Sequence, residues 1–103
     1  MSAPHPTNGL DEIVHQRVRL GILAVLSEST RAEFTFLRDT LELTDGNLAR
    51  HLQTLESAGL VEIEKTFAGR RPRTWIRATA AGRTAFAHEI AALEALIRRV
   101  REP

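Results

Sequence analysis

The sequence predicts a mostly helical α+β domain with a β-hairpin followed by a long final helix. Thr44 and Gly59 bracket an amphipathic segment, and these residue types begin and end helices, respectively. Apolar and acidic residues alternate from Val61, as in a half-buried strand, before a glycine-containing turn and a second strand-like stretch. After Thr79 the apolar residues recur at helical spacing, which predicts the final helix.

The composition restricts the classes of protein to which this chain can belong. Its 103 residues, of which 43% are hydrophobic and 26% charged, fit one globular domain. The chain contains no cysteine, which excludes disulfides, zinc ribbons and thiol catalysis. No apolar run approaches the ~20 residues of a membrane span, and the N-terminus lacks the pattern of a signal peptide. We therefore expect a cytoplasmic protein that does not bind membranes.

The N-terminal half predicts an arm followed by three helices. Residues 1–10 contain prolines, an Asn-Gly pair and little apolar content, which favours a flexible arm. Asp11 is the predicted N-cap of a helix over roughly 12–27, whose apolar residues cover more than one face. The next predicted elements are a short strand over residues 32–34, a helix from Phe36 to Leu41 capped by Thr35, and a helix from Asp45 to Ala58 capped by Thr44.

The C-terminal half predicts the hairpin and the last helix. The first strand begins at Val61, and Ala68-Gly69 together with Pro72 marks the turn. The second strand runs from Thr74 to Ala78. Thr79 is the predicted N-cap of a helix over about 80–101.

The helix predicted after Thr44 has an apolar face and a polar face. At ~100° per residue, Leu48, Leu52 and Leu55 fall on one side, so the opposite side is expected to face outward. That side and its edges carry arginine, glutamine and asparagine, which form paired hydrogen bonds with guanine or adenine edges. A solvated helix surface is an equally acceptable interpretation of this helix alone. The candidate contacts with duplex DNA are Thr44, Gly46, Asn47, Arg50, Gln53 and Thr54.

The turn between the two predicted strands carries Arg70, Arg71 and Arg73 within four positions and no acid. Arginines without nearby carboxylates repel one another, which indicates an anionic partner outside the domain. Arginine inserts into a narrow minor groove and forms two parallel hydrogen bonds with phosphate. A solubilising loop is the alternative interpretation. We take these three arginines as further candidate contacts with duplex DNA.

Three segments together carry a family resemblance: LTDGNLARHLQTLESAGLVEIEK, AGRRPRTWIRAT and TAAGRTAF. From Asp11 to about Val100 the chain resembles bacterial winged helix-turn-helix regulators of the MarR/ArsR type, and especially their compact relatives without an effector domain. The resemblance implies a winged helix-turn-helix fold with a two-stranded wing. It implies that the helix around Arg50 enters the major groove and that Arg70 and Arg71 lie at the wing tip. It also implies transcriptional regulation, often repression, by a homodimer.

The last predicted helix carries apolar residues spaced 4, 3, 4 and 3 apart, the heptad spacing of a helix–helix seam. A small core covers only the start of so long a helix, so the remaining stripe predicts a dimer interface. Folding of this helix back across the first helix is the alternative. We divide the chain into an arm, residues 1–10, a core, residues 11–79, and a dimerisation helix, residues 80–103. The predicted interface residues are Phe86, Ile90, Leu93, Ile97 and Val100.

Other site types have little support in the sequence. The four histidines do not form a metal-binding pattern, and no nucleophile–base pair or phosphate-binding loop is recognisable. We therefore expect no enzyme activity, no metal site and no cofactor. The leading hypothesis is a sequence-specific DNA-binding regulator, most simply a repressor. Two alternatives stay open: a winged-helix module that binds an acidic protein, and a sensor that binds a ligand or metal and uses DNA binding as its output. No residue identifies a small-molecule effector.

Overall fold

The computed structural model describes residues 4–102, which contain four α-helices, one 3₁₀ helix and a three-stranded antiparallel sheet. In chain order the elements are the 3₁₀ helix Pro6–Gly9, α1 Arg17–Ser27, β1 Ala32–Glu33, α2 Phe34–Thr40, α3 Asp45–Ser57, β2 Val61–Ala68, β3 Arg71–Ala78 and α4 Ala80–Arg101. The sheet order is β1–β3–β2. Helices α2 and α3 form the helix-turn-helix, and β2 and β3 form the wing. The predicted α+β class and winged helix-turn-helix fold are confirmed.

The core lies around α1, which contacts α3, α4 and β3. Its apolar residues face several neighbours, as predicted from their spread over more than one helical face. The apolar stripe predicted for α3 is also buried. Burying a leucine or isoleucine side chain stabilises a fold by roughly 1.5–3 kcal/mol. The most deeply buried apolar residues are Val14, Ile22, Leu23, Leu26, Leu37, Leu48, Leu52, Leu55, Val61 and Ile76.

The predicted local signals at Thr44, Gly59 and Thr79 are confirmed. The Thr44 hydroxyl oxygen accepts a hydrogen bond from the Asn47 N–H at 3.1 Å and thereby caps α3. Gly59 follows α3 with a φ of +76°, which only glycine adopts without a steric cost. The Thr79 hydroxyl oxygen accepts from the Gly82 N–H at 3.0 Å and caps α4. These residues set the ends of the elements because their capping contacts are local.

The predicted start of the first helix is wrong by five residues. Helix α1 begins at Arg17, and the Gln16 side chain caps it by accepting from the Arg19 N–H at 2.9 Å. Asp11 closes a separate turn, in which its carboxylate accepts from the N–H groups of Ile13 and Val14 at 2.8 and 3.3 Å. Asp11 therefore acts as a cap of a turn and not of α1.

The predicted start of the second helix is also wrong. Helix α2 begins at Phe34 directly after β1, with the extended residue Glu33 at the N-cap position, so Thr35 lies inside the first turn. The helix ends with Glu42 at a φ of 55°. The Leu43 N–H donates to the Arg38 carbonyl oxygen at 2.9 Å, as in a Schellman motif. This left-handed residue produces the tight connection between α2 and α3.

The predicted flexible arm is partly ordered. Residues 6–9 form the 3₁₀ helix, which packs against α4. The two elements lie close together, since a Cβ at Gly9 would be 3.3 Å from the Cβ of Ala92. The first three residues of the predicted arm lie outside the described residues. The arm prediction fails over the rest because the packing partner is at the other end of the chain.

The hairpin is tighter than predicted. Strand β3 begins at Arg71, paired with Ala68, so that only Gly69 and Arg70 form the turn. Gly69 has a φ of +65°, and glycine at the first turn position is typical of a type II′ hairpin. Pro72 is accommodated because β1 pairs only with Trp75 and Ile76, which leaves β3 an edge strand at the proline. The wing therefore extends well beyond the part of the sheet that β1 covers.

The start of α4 is locked to the end of α3. The Thr79 N–H donates to the Leu60 carbonyl oxygen at 3.0 Å, and the Thr79 hydroxyl donates to the Gly59 carbonyl oxygen at 2.7 Å. The first turn of α4 lies so close to Leu60 that a Cβ at Gly82 would sit 2.0 Å from the same carbonyl oxygen. Position 82 therefore has room only for glycine.

Replacing Gly82 by alanine is expected to destabilise the fold. The added Cβ forces α4 away from Leu60, and overpacking of this kind costs about 1–3 kcal/mol. Gly46→Ala is the matched control, because no atom lies within 4 Å of a Cβ at that exposed position of α3. Alanine favours a helix over glycine by roughly 1 kcal/mol. In urea unfolding the midpoint should fall for Gly82→Ala and rise for Gly46→Ala; an unchanged midpoint for Gly82→Ala would contradict the close packing.

Candidate nucleic-acid interface

The outward face of α3 presents Gly46, Arg50 and Gln53 to solvent, in agreement with the helical periodicity. The open space around Gly46 allows another molecule to approach the backbone of the first turn. Thr44, at the N-cap, is also exposed. Its oxygen is occupied by the capping bond, which leaves the hydroxyl hydrogen available to an acceptor such as phosphate. This face therefore combines a donor-rich surface with small residues.

Asn47 and Thr54, the two predicted contacts at the edges of this face, are half-buried. The Thr54 hydroxyl donates to the Arg50 carbonyl oxygen at 3.3 Å within the helix. The Asn47 side-chain oxygen is buried and has no hydrogen-bond partner within residues 4–102. A buried amide oxygen without a partner is destabilising by about 1–3 kcal/mol, so hydrogen bonding does little to hold Asn47 inward. Contact of that oxygen with a base edge requires rotation of the side chain.

An ion-pair network surrounds the N-terminus of α3. Arg38 of α2 donates from Nη1 to Asp45 and from Nε to Asp39, both at 2.9 Å. The hydrogen bonds to Asp39 and Asp45 raise the pKa of Arg38 further above its usual range. Arg38 thus balances part of the negative charge that Asp45 brings to the first turn. The helix N-terminus, with its partial positive charge, remains compatible with an approaching phosphate.

His51 connects α3 to α1, a role that its sequence surroundings do not indicate. Arg19 donates from Nη1 to His51 Nδ1 at 3.1 Å, and its Nε donates to the Ile13 carbonyl oxygen. A guanidinium can only donate, so His51 Nδ1 carries no proton and the ring is neutral. Burial first, and then the charges of Arg19 and Arg50, lower the pKa of His51. His51 therefore holds α3 in place and adds no charge near neutral pH.

The arginines of the wing divide into two groups. Arg70 and Arg71 are exposed and form no ion pair within residues 4–102. Arg73 lies with Nη1 3.6 Å from the Glu33 carboxylate. The expectation that Arg73 has no acidic partner is therefore wrong, because β1 pairs beside β3 and brings Glu33 into reach. Within residues 4–102, Arg70 and Arg71 are therefore the wing arginines without an ion pair, and Lys65 on β2 has none either.

On the outer face of the sheet, directed away from the core, two of the cationic side chains have partners within the protein. Arg77 pairs with Glu62 on the neighbouring strand. The guanidinium of Arg31 lies over the ring of Trp75, 3.8 Å from its centroid, in a cation–π arrangement. Trp75 therefore packs beneath Arg31 on the outer face.

A shallow groove of about 330 Å³ separates α3 from the inner side of the wing. Helix α3 and the wing therefore border one concave surface, with Ala49 on the helix side and Lys65 on the wing side. Arg50 and Gln53 lie on the adjoining outward face of α3, where they line a second shallow pocket together with Ile13 and Thr54. The groove is lined by Phe34, Ala49, Leu52, Ile63, Lys65 and Thr74.

The predicted dimer seam is only partly exposed. Phe86 packs against the core, and Ile90 and Leu93 are half-buried. Ile97 and Val100 are 50% and 75% exposed. The free part of the predicted seam is therefore the C-terminal part of α4, because the core and the 3₁₀ helix cover its beginning.

Glu89 on α4 is buried, and its hydrogen bonds attach the N-terminal segment to the last helix. Its carboxylate accepts from the Asp11 N–H at 3.2 Å and from His15 Nδ1 at 2.6 Å. A buried carboxylate needs such partners to offset its lost hydration. His15 and Glu89 are 74 positions apart, so the sequence carries no local signal of this contact.

Residues 4–102 do not offer a metal site or a membrane-spanning helix. Three or more histidine, aspartate or glutamate side chains do not cluster anywhere in this part of the chain in a way that would hold a metal ion. Among the helices described, none combines the length and apolar character needed to cross a membrane. The concave surface between α3 and the wing is thus the candidate site with the strongest structural support.

Comparisons with known proteins identify relatives over most of the chain. A family model described as winged helix DNA-binding domain matches residues 18–97. The uncharacterized protein MJ0432 of Methanocaldococcus jannaschii is 43% identical over 79 residues, which are 77% of this chain and 86% of that protein. The transcriptional regulator homologue from Pyrococcus horikoshii OT3 has a TM-score of 0.84 and 35% identity, covering 89% of this chain and 91% of its own. The transcriptional repressor CouR, bound to a 23-mer DNA duplex, shares the fold with a TM-score of 0.76 and 19% identity, over 95% of this chain and 69% of its own.

The region matched by the family model begins in α1 and ends in α4. It therefore includes the helix-turn-helix, the wing and most of the last helix. The predicted winged helix DNA-binding domain is confirmed by the family match and by the transcriptional regulator homologue from Pyrococcus horikoshii OT3. Solved MarR-family regulators, each 21% identical, share the fold. The chain belongs to the winged helix DNA-binding domain family.

Proposed function

We propose that this protein binds specific sequences of duplex DNA as a homodimer and represses transcription at the promoters that contain them. The observation that carries the proposal is the pairing of two surfaces. Arg50 and Gln53 face outward on α3, and the wing beyond the groove carries Arg70 and Arg71 without acidic partners in the described part of the chain. Its relatives include a transcriptional regulator homologue and a repressor bound to a DNA duplex, which supports this choice.

In this proposal α3 reads the major groove. That groove is about 12 Å wide and admits an α-helix. Arg50 supplies a bidentate donor for guanine, and Gln53 supplies the donor–acceptor pair for adenine. Gly46 allows the first turn to approach the DNA closely, and Thr44 donates to a flanking phosphate. Asn47 and Thr54 read bases after reorienting from the edges of the helix.

The wing reaches the adjacent minor groove or its phosphates. Arg70 lies in the two-residue turn and Arg71 directly follows it, so both are carried at the tip of the hairpin. Arginine favours the negative potential of a narrow minor groove. Arg73 lies nearer to Glu33, and in the proposed complex it contributes less than the two tip arginines.

A dimer forms through α4 in this proposal. Ile97 and Val100 are exposed on the same heptad stripe as the half-buried Ile90 and Leu93. Pairing of two such stripes removes apolar surface from water, which favours association. A twofold dimer sets two reading helices about 34 Å apart and predicts a roughly palindromic site. No residue of the site identifies a small-molecule effector that would release such a dimer from DNA.

Arg50→Ala is expected to weaken binding to the selected site by roughly 1–3 kcal/mol, because alanine cannot form the bidentate hydrogen bonds to a base. The site is first obtained by selecting bound sequences from random duplex DNA, and affinity is then measured by gel shift. Arg98→Ala is the control, since it removes the same charge from an exposed position near the far end of α4. Equal affinities for wild type and Arg50→Ala would contradict base reading by α3.

Removing both wing arginines, Arg70→Ala with Arg71→Ala, should flatten the dependence of affinity on salt. The slope of log affinity against log salt falls by about 0.9 for every phosphate that the protein no longer neutralises. Arg73→Ala should change the slope less, because Glu33 already neutralises part of that charge. Titrations at several salt concentrations test this. A slope that is unchanged in the double variant would exclude the wing from the DNA interface, and absence of binding at low salt would favour a protein-interaction module.

Ile97→Glu is expected to convert a dimer into a monomer, because a carboxylate at the seam cannot be buried without a partner. Ile97 is half exposed in the single chain, so the substitution should leave the monomer folded. Ala91→Glu introduces the same group at an exposed position off the seam and is the control. Analytical ultracentrifugation distinguishes the species. If the Ile97→Glu variant is still a dimer, the dimer interface lies on another surface.

A further inference from the structure

Phe67 on the wing is an apolar side chain without cover. It is 73% exposed, although aromatic side chains are usually buried or in contact with a partner. It belongs to the inner face of β2, which begins with the buried Val61 and the half-buried Ile63 and continues through Lys65. Strand residues two apart point to the same side. After the interruption at Lys65, the core face of β2 thus carries one more apolar residue, Phe67, at a position that the protein itself does not cover.

The distance along the strand explains why the core cannot reach Phe67. Phe67 lies four residues beyond Ile63, which corresponds to about 13 Å of strand. Its cross-strand partner is Pro72, and paired residues of antiparallel strands share a face. Phe67 and Pro72 therefore form an apolar surface on one side of the hairpin tip. Ala68 and Arg71, the adjacent pair, face the other side.

The charge around this surface identifies its partner as anionic. Chain positions from Lys65 to His88 contain no aspartate or glutamate, whereas they include Arg70 and Arg71 at the tip. A partner that covers Phe67 must also accept these cations. The minor groove of duplex DNA has this combination, since its walls expose the carbon atoms of deoxyribose between rows of phosphates.

We propose that Phe67, with Pro72, packs against the deoxyribose wall of the minor groove when the wing engages DNA, and thereby fixes the orientation of the hairpin. This inference rests on the proposed function, because it names a further contact of the same surface. Cationic side chains alone attract the hairpin to the phosphates but do not determine which face of the hairpin meets which strand of the DNA. Because the hairpin tip has one apolar face and one cationic face, each face meets a different wall of the minor groove, and this fixes the orientation of the hairpin. Phe67 is therefore a positioning residue for Arg70 and Arg71.

The proposed packing of Phe67 has a signature that an arginine–phosphate bond lacks. Burying a phenylalanine against sugar carbons removes apolar surface from water and releases no counterions. Removing the ring should therefore lower the affinity by a similar factor at every salt concentration. Removing an arginine that binds phosphate lowers the affinity most at low salt and reduces the slope.

The test compares four variants of the full chain in fluorescence anisotropy titrations with a labelled duplex of about 30 base pairs, a length that spans two half-sites one turn apart. Phe67→Ala is expected to weaken binding about 5- to 30-fold, with the salt slope of the wild type. Phe67→Leu should stay within about threefold of the wild type, because leucine retains most of the apolar area. Arg71→Ala should reduce the slope.

Phe36→Ala is the matched control. Phe36 is also an exposed phenylalanine, at 54%, but it lies beside Arg31 and Trp75 at the outer side of the sheet. Its replacement should leave the affinity unchanged. Thermal unfolding of each variant distinguishes weaker DNA binding from a damaged fold, and a surface position such as Phe67 should leave the unfolding temperature within a few degrees of the wild type.

The outcomes distinguish this inference from the proposed function. If the wild type binds no duplex at low salt, both are overturned. If Arg71→Ala weakens binding but Phe67→Ala does not, only the role of Phe67 is overturned. An equally weakened Phe36→Ala, or a reduced salt slope in Phe67→Ala, also overturns it. If Phe67→Ala dissociates a dimer in analytical ultracentrifugation, a second copy of the chain covers Phe67 and its packing on DNA is excluded.

Discussion

The carbonyl group of Leu60 is the point at which the end of α3, the start of the wing and the start of α4 are fixed to one another. Its oxygen accepts the Thr79 N–H, and the first turn of α4 lies against it with no space for a side chain at Gly82. The Thr79 hydroxyl bonds the neighbouring carbonyl of Gly59. The end of α3, the start of β2 and the start of α4 therefore form one hydrogen-bonded unit. These bonds fix the start of the wing relative to the end of α3 and the start of α4, whereas the hairpin tip extends beyond them.

The parts of the fold that depend on local chemistry could be predicted, and those that depend on distant partners could not. Thr44 and Thr79 cap their helices through bonds to residues three positions further on, and Gly59 ends α3 through its own backbone conformation. Asp11 has the same capping ability, but its N–H is held by Glu89, 78 positions away. This hydrogen bond fixes residues 11–15 as a separate turn, so α1 begins only after Gln16. The sequence contains both residues but does not indicate that they meet.

The same distinction applies to the candidate site. Helical periodicity was sufficient to place Arg50 and Gln53 on the outer face, because the leucines opposite them fill the core. The absence of acidic residues within the turn did not predict the ion pair of Arg73. Its partner Glu33 lies 40 positions earlier, on a strand that joins the sheet beside β3. Unlike Arg73, Arg70 lies beyond the reach of β1. Charge patterns therefore predict an interface only where the chain has no neighbouring strand to supply a counterion.

The two halves of the proposed interface differ in how firmly the fold holds them. Helix α3 is capped at Thr44, ended at Gly59, buried along its leucine face and bonded to α1 through His51. The wing tip has only the hairpin bonds of β2 and β3, because β1 pairs no further than Trp75. Reading a base edge requires donors held within a few tenths of an ångström, and helices of a packed core provide this precision better than loops do. Phosphate and sugar contacts tolerate more freedom, which an extended hairpin allows. The burial pattern that stabilises the domain therefore suits the proposed division, in which α3 reads the bases and the wing makes the more adaptable contacts.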